Sequence, residues 1–315
     1  WCTADGGRES AELFTADPRI AAVVGPTCSS ACRAAATIFD PMNYVSISPS
    51  CTSTSLAADF ESFHRVIAND DAQGVENAIF IIDHLRLLDV AVIYDDSDYG
   101  MALADIFSQS VVELGGNVVY SAQVMRDAAD YSVIIPDLEN IQPEIIFFAG
   151  FSLEAGQLAK AKQAADLADT ALMVGDGAFG LEFVLVSEGG AEGAYVSLPS
   201  AQESNALAEF TQSFVDFYGH APGTPYFPYG VDALHILMDG IETVGELDAD
   251  GNLVIDRLAL REYISQVGAD EPITGLSGRL QCNGNGECAL GGIGFYQVTE
   301  GEFIPLNVTN VILLD

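Results

Sequence analysis

Along most of this chain, apolar runs of strand length alternate with stretches whose apolar positions recur at helical spacing. Strands are predicted over 20–25, 44–48 and 63–67, with helices over 9–14 and 30–39. The alternation then becomes more regular: helix 74–87, strand 90–94, helix 100–114, strand 118–124, helix 134–140, strand 144–149, helix 153–167, and strands 171–175 and 193–199. Such a series predicts an α/β protein with parallel sheets covered by helices. From 203 the pattern is mostly helical, over 203–218, 229–244 and 256–267, and strands return over 278–282 and 293–298. A βαβ series, a helical block and a returning pair of strands predict two lobes that are not contiguous in sequence. No internal repeat points to a solenoid.

With 315 residues, 49% of them hydrophobic, the chain can bury a sizeable core and agrees with about two domains. No run approaches the roughly 20 apolar residues of a membrane helix. The 46 acidic residues outnumber 11 basic ones for a net charge of −35, and the only lysines are Lys160 and Lys162. Nucleic acid would be repelled and is not expected as a partner. The acids are scattered over the whole length, so they bear on solubility and a salt-rich habitat rather than on one cation-binding surface.

Six cysteines without a CxxC pair fit disulfides better than zinc and place the chain outside a reducing cytosol. In Cys282-Asn-Gly-Asn-Gly-Glu-Cys288 two glycine turns allow a hairpin that brings Cys282 and Cys288 within disulfide range.

Candidate chemistry lies after the strands. Gly25-Pro-Thr-Cys-Ser-Ser-Ala-Cys32 carries hydroxyls into a helix N-terminus, whose free N–H groups suit a carboxylate. Ser29 is equally well read as a helix cap. Ser48-Pro-Ser-Cys-Thr-Ser-Thr-Ser55 holds hydroxyls at all but two positions, where open α/β sheets bind ligands, though a polar surface turn has the same composition. Tyr94-Asp-Asp-Ser-Asp-Tyr-Gly100, Gly150-Phe151-Ser152 and Gly175-Asp-Gly177 occupy the same position after later strands. One aspartate of the first group is expected to cap a helix. Asp176, between two glycines, is either a turn residue or an acid that meets an ammonium group.

Catalysis has little support. His64, His84, His220 and His235 sit in unrelated contexts and are read as structural, and no nucleophile or phosphate loop is found. Asp248-Ala-Asp-Gly-Asn252 starts like a calcium loop, but Leu253 stands where that loop needs glycine, so a turn before a helix capped by Asp256 is expected. No cofactor and no metal are expected.

Taken in order, Val24-Gly-Pro-Thr-Cys-Ser29, Ile47-Ser-Pro-Ser-Cys-Thr52, Phe63-His-Arg-Val, Asp70-Asp-Ala-Gln-Gly74, Val92-Ile-Tyr-Asp-Asp-Ser-Asp-Tyr-Gly100 and Gly175-Asp-Gly177 resemble the type I periplasmic solute-binding proteins of branched-chain amino acid transport. That class includes the leucine/isoleucine/valine-binding proteins and their amide- and urea-binding relatives. The resemblance covers nearly the whole chain and implies two lobes, each a parallel-rich sheet between helices, with three crossovers. Lobe 1 would be 1–68 plus 200–289, lobe 2 69–199 plus 290–315, with hinges near 68–71, 199–202 and 289–292. The family's opening strand, glycine-rich loop and helix have no counterpart ahead of Trp1, so lobe 1 is expected to lack them.

By this resemblance Ser29, the Ser50 backbone and Thr52 would hold a ligand carboxylate and help to bind its amino group. Tyr99 and Phe151 would wall the cleft, and Asp176 would pair with an ammonium; Phe151 stands where a tyrosine is often found. Some family members carry a disulfide at the positions of Cys2 and Cys28, which leaves Cys32 and Cys51 as a third pair. The implied function is a non-enzymatic, monomeric, periplasmic or extracellular binding component of an ABC importer. A lipid anchor through a segment ahead of Trp1 is one mode of attachment, the partner is a membrane permease, and the ligand is a small amino acid or amino-acid-like molecule of the branched-chain or aliphatic kind. The alternative is the ligand-sensing domain of a receptor or regulator with the same fold.

Overall fold

The computed structural model describes residues 2–127 and 131–307; residues 1, 128–130 and 308–315, including the outer ends of both expected lobes, lie outside the described residues. The chain divides into two compact units, Trp1–Asn69 with Ser200–Gly291 and Asp70–Pro199 with Gly292–Asp315. It therefore passes between units at 69/70, 199/200 and 291/292.

The first unit opens with α1 (Ala4–Ala16), β1 (Ala22–Val24), α2 (Ser29–Phe39), β2 (Val45–Ser48), α3 (Ser55–Asp59) and β3 (Phe63–Arg65). The second contains α4 (Asp70–Ile79), β4 (Asp89–Asp95), α5 (Asp98–Glu113), β5 (Asn117–Val124), α6 (Ile135–Ile141), β6 (Ile145–Ala149), α7 (Ser152–Ala164), β7 (Ala171–Val174), α8 (Leu181–Val186) and β8 (Tyr195–Ser200). The first unit resumes with α9 (Asn205–Tyr218), α10 (Phe227–Val244), β9 (Glu246–Leu247), β10 (Leu253–Val254), α11 (Arg257–Ser265), β11 (Ile273–Thr274) and β12 (Arg279–Leu280). β13 (Gly292–Thr299) and β14 (Glu302–Pro305) return to the second.

The second unit is built on a seven-stranded sheet of order β14-β13-β8-β7-β6-β4-β5. Pairing is parallel from β8 to β5, while β13 and β14 are antiparallel. Period-two alternation sorts its strands into two cores. Ala91, Ile93, Ile146 and Phe148 face a cluster that includes Leu158 and Phe183. Val90, Val92, Ile145 and Phe147 face the opposite cluster, with Leu103, Phe107 and Phe80. All five residues of β6 are buried because helices cover both faces, which is why its sequence reads as an unbroken apolar run.

The first unit holds a three-stranded parallel sheet, β1-β2-β3. Val45 and Ile47 of β2 pack with Tyr229, Ile236, Leu260 and Ile264 from α10 and α11. All of β2 is buried, including its serines. Ser48 is tolerated there because its hydroxyl donates to the Pro26 carbonyl at 2.7 Å.

The expected α/β architecture is present, with differences at particular elements. Helix α4 begins at Asp70 rather than 74, since Asp70 and Asp71 favour the positive end of the helix dipole. It then loosens into a π-helical turn, Phe80–Leu85, closed by Arg86 at a φ of 63°. The Asp248 turn lies inside the β9–β10 hairpin, and Asp256 does cap α11, accepting from the Leu258 and Ala259 N–H groups at 2.9 and 3.2 Å. The strand expected over 278–282 shrinks to β12, which pairs with β11 and bridges through Leu280 to Ala289. Elements α3, α8, β9 to β11 and β14 were not predicted, being too short to display a period.

The cysteines pair as Cys2–Cys28, Cys32–Cys51 and Cys282–Cys288, with α-carbons 5.2, 6.6 and 3.8 Å apart. None remains free.

His64, on β3, is buried, and its Nδ1 meets no hydrogen-bond partner. Burial pushes its pKa down from 6.5 to about 4, opposed by a hydrogen bond to the Ser62 backbone and reinforced by the Arg261 charge. The folded state thus prefers neutral imidazole. Its contribution is complete above pH 6.5 and is lost as pH falls through about 4. His64→Leu is therefore expected to flatten the fall in stability between these two pH values by up to about 3 kcal/mol, read from parallel denaturant titrations of both proteins.

Candidate functional site

The candidate residues fall into two groups, one in each unit, and each group lies at the carboxyl ends of parallel strands. In the first unit the loop after β1 leads into α2 and the loop after β2 runs from Ser48 to α3. The N-cap of α2 is Cys28, whose side chain makes no capping bond. The capping role for Ser29 does not hold, because Ser29 is already in the first turn, and its buried hydroxyl accepts the Ser53 N–H at 3.2 Å instead. That bond ties the start of α2 to the loop after β2, and the Cys32–Cys51 disulfide ties the same helix and loop again.

Further bonds fix the loop after β2. The Cys51 and Ser50 N–H groups donate to Ser48 Oγ at 2.9 and 3.3 Å, and the Ser50 hydroxyl donates to the Thr27 carbonyl at 2.9 Å. Thr52 is buried within the same loop. Ser29, Ser50 and Thr52 thus belong to one cross-braced pair of loops rather than to a free polar turn.

In the second unit Tyr99, Phe151 and Asp176 come together. Tyr99 is in the first turn of α5, and its hydroxyl donates to Asp176 Oδ1 at 2.8 Å while accepting the Gly177 N–H at 3.1 Å. The phenol pKa is raised well above 10, first by burial and then by the charges of Asp176 and Asp70, so the hydroxyl keeps its proton and donates. Phe151 lies beside Tyr99, ring centroids 5.6 Å apart. The glycines around Asp176 have a packing reason: a Cβ at Gly175 would stand 2.5 Å from the Tyr99 hydroxyl, and one at Gly177 would stand 2.6 Å from the Gly150 carbonyl.

The aspartate expected to cap α5 does not do so. Ser97 is the cap, accepting the Gly100 N–H at 2.9 Å, while buried Asp95 accepts both the N–H of Ser97, at 3.0 Å, and its hydroxyl. Burial pushes the Asp95 carboxyl up, against the lowering effect of those two bonds.

Two further residues join these groups. The Arg126 guanidinium lies 4.3 Å above the Phe151 ring, a cation–π contact. Its place just beyond β5 was the available signal, as basic residues are scarce in this chain. Arg65, on β3, is fully buried and donates to carbonyls of the loop after β2. It lies in the Phe63-His-Arg-Val segment, but nothing local marks an arginine as buried.

Two α/β units joined by three chain passages, with polar groups at the strand ends, define the type I periplasmic binding protein fold. The chain belongs to the periplasmic binding protein family, whose model matches residues 3–289. It is 24% identical over 229 residues to a leucine-, isoleucine-, valine-, threonine- and alanine-binding protein of Pseudomonas aeruginosa, covering 72% of this chain and 61% of that one. An amino acid binding protein of the same organism is 30% identical over 140 residues, covering 44% of this chain and 37% of its own length. The chain thus spans less than two thirds of these relatives.

Among solved structures, a leucine binding protein from Thermotoga maritima superposes with a TM-score of 0.83 at 22% identity, covering 98% of this chain and 85% of that one. A branched-chain amino acid binding protein of Streptococcus pneumoniae in complex with isoleucine gives 0.81 at 17%, covering 96% and 84%. A solute binding protein of R. palustris in complex with benzoate gives 0.79 at 14%, covering 97% and 82%.

Tyr99→Phe is expected to leave Asp176 Oδ1 without its phenol donor and the Gly177 N–H without its acceptor. The loss should be about 1–3 kcal/mol of stability, measured by calorimetric unfolding.

Proposed function

We propose that this chain is the binding component of an ABC importer outside the cytoplasm and that it captures an α-amino acid, with aliphatic side chains preferred. The observation that carries this reading is the buried Asp176 carboxylate, held by Tyr99 at the carboxyl end of β7. A buried carboxylate in an aromatic surround is suited to an ammonium, whose charge and hydrogen bonds offset the cost of burial. The loops carrying Ser29, Ser50 and Thr52 offer hydroxyls and a helix N-terminus without a side-chain cap, the donors a carboxylate needs. Phe151 and Tyr99 supply the apolar wall.

On this reading the loops carrying Ser29, Ser50 and Thr52 receive the ligand carboxylate, and Asp176 with Tyr99 receives its ammonium. Each charged end must be paired for such burial to be tolerable. A ligand signals its presence to a membrane permease only as far as it shifts the population toward the form it prefers. The relatives named for leucine, isoleucine and valine support the ligand class. The benzoate complex makes an aromatic carboxylate the competing ligand, one that would use the carboxylate loops and leave Asp176 idle.

A thermal-shift screen against L-leucine, L-isoleucine, L-valine, L-alanine and benzoate tests this, since a ligand of the folded state raises the melting temperature. An aliphatic amino acid should give the largest shift. Asp176→Ala should weaken its binding by about tenfold or more in calorimetric titration, the equivalent of one charged hydrogen bond. Binding of benzoate alone would reject the amino acid assignment, and unchanged affinity in the Asp176 variant would remove Asp176 from the site.

A further inference from the structure

Arg65 carries no solvent-exposed surface, yet every N–H of its guanidinium has an acceptor. Nε and one Nη make a bidentate pair with Glu287, at 2.9 and 2.6 Å. The remaining bonds go to backbone carbonyls of a single loop: Cys51 and Ser53 at 2.9 Å each and Thr54 at 3.2 Å. Turning these carbonyls onto one buried cation fixes the peptide planes on both sides of Thr52 and Ser53. This is the loop that reaches Ser29 through the Ser53 N–H.

Glu287 is itself delivered by a built element. The Arg65 N–H donates to the Gly286 carbonyl at 2.8 Å and the Arg65 carbonyl accepts the Cys288 N–H at 3.0 Å, so the 282–288 hairpin docks along β3. The Cys282–Cys288 disulfide closes that hairpin. Gly286 allows the close approach: its φ is +83°, and a Cβ there would stand 2.4 Å from the Phe63 carbonyl. The Glu287 side chain remains one quarter exposed, so it can be altered with less damage than its partner. A buried arginine whose acceptors are one carboxylate and three consecutive-region carbonyls of a binding loop has more to do with loop geometry than with cohesion, because a buried ion pair adds little net stability.

We propose that Arg65 and Glu287 are positioning residues for ligand capture: the hairpin carboxylate orients the guanidinium, and the guanidinium holds the loop of Ser50 and Thr52 in its binding conformation. This rests on the reading of that loop as the carboxylate site. Preorganised loops bind more tightly because ordering is not charged to the binding step.

The test is calorimetric titration of L-leucine into wild type, Glu287→Gln, Thr52→Ala, Asp176→Ala and the two double variants that contain Glu287→Gln, at a temperature where circular dichroism shows each to be folded. Glu287→Gln is expected to raise Kd on the order of tenfold, with less than additive loss when combined with Thr52→Ala and additive loss when combined with Asp176→Ala. An unchanged Kd, or loss that is additive with Thr52→Ala, overturns the assignment even if the melting temperature falls, since that is the behaviour of a purely structural pair. Arg65→Lys, which cannot serve all the acceptors, should act in the same direction; should it fail to fold, Glu287→Gln carries the test. Wild type that binds none of L-leucine, L-isoleucine, L-valine and L-alanine overturns the amino acid reading, and the positioning role falls with it.

Discussion

A parallel strand covered on both faces has no room for chemistry along its length, and this constraint shapes the whole molecule. Residues of β6 and the middle of β4 are buried among helices, so any polar side chain there would need an internal partner. The strand ends are different. There the chain turns, backbone N–H groups are open, and a helix begins, so hydroxyls and acids gather where the ladder stops. Ser29, Ser50, Thr52, Tyr99, Phe151 and Asp176 all occupy such positions.

Several of the polar groups at these ends are tolerated because they are tied to a neighbour. Ser48 bridges Pro26 and Cys51, Tyr99 bridges Asp176 and Gly177, and Arg65 satisfies several carbonyls at once. The same bonds that remove the penalty of burial also fix geometry. In both units the bracing runs between segments that are distant in sequence: Ser29 with Ser53, Tyr99 with Asp176 and Arg65 with Glu287. Such bracing leaves these segments ordered by the protein itself.

The charge distribution follows a different logic. The net charge of −35 comes from acids scattered along the whole chain, while several of the few arginines hold structural posts. Arg65 is buried in the first unit, Arg257 lies 3.9 Å over the Tyr44 ring, and Arg126 lies over Phe151. An excess of acid on the surface keeps the chain soluble and says little of the site, where the sign of charge is set residue by residue.

Much of the fold was legible because burial on both faces writes itself as apolar runs and helical spacing, and residues 144–149 and 100–114 announced their elements in that way. The candidate site was legible only as composition: hydroxyls after β2, an acid between glycines after β7. Short elements such as α3, α8 and β14 escaped because a few residues carry no period. The start of α4 was misplaced because two aspartates were not read as a helix beginning. The sequence by itself determined the α/β class, the alternation of elements and the residue types available at the strand ends. Only the tertiary structure decided that Ser29 meets Ser53 instead of capping its helix, that the glycines beside Asp176 make room for Tyr99, and that Arg65 reaches Glu287 across 222 positions. Periodicity reports how each residue relates to its own neighbours along the chain, whereas hydrogen bonds between distant loops depend on how the packed sheets bring those loops together.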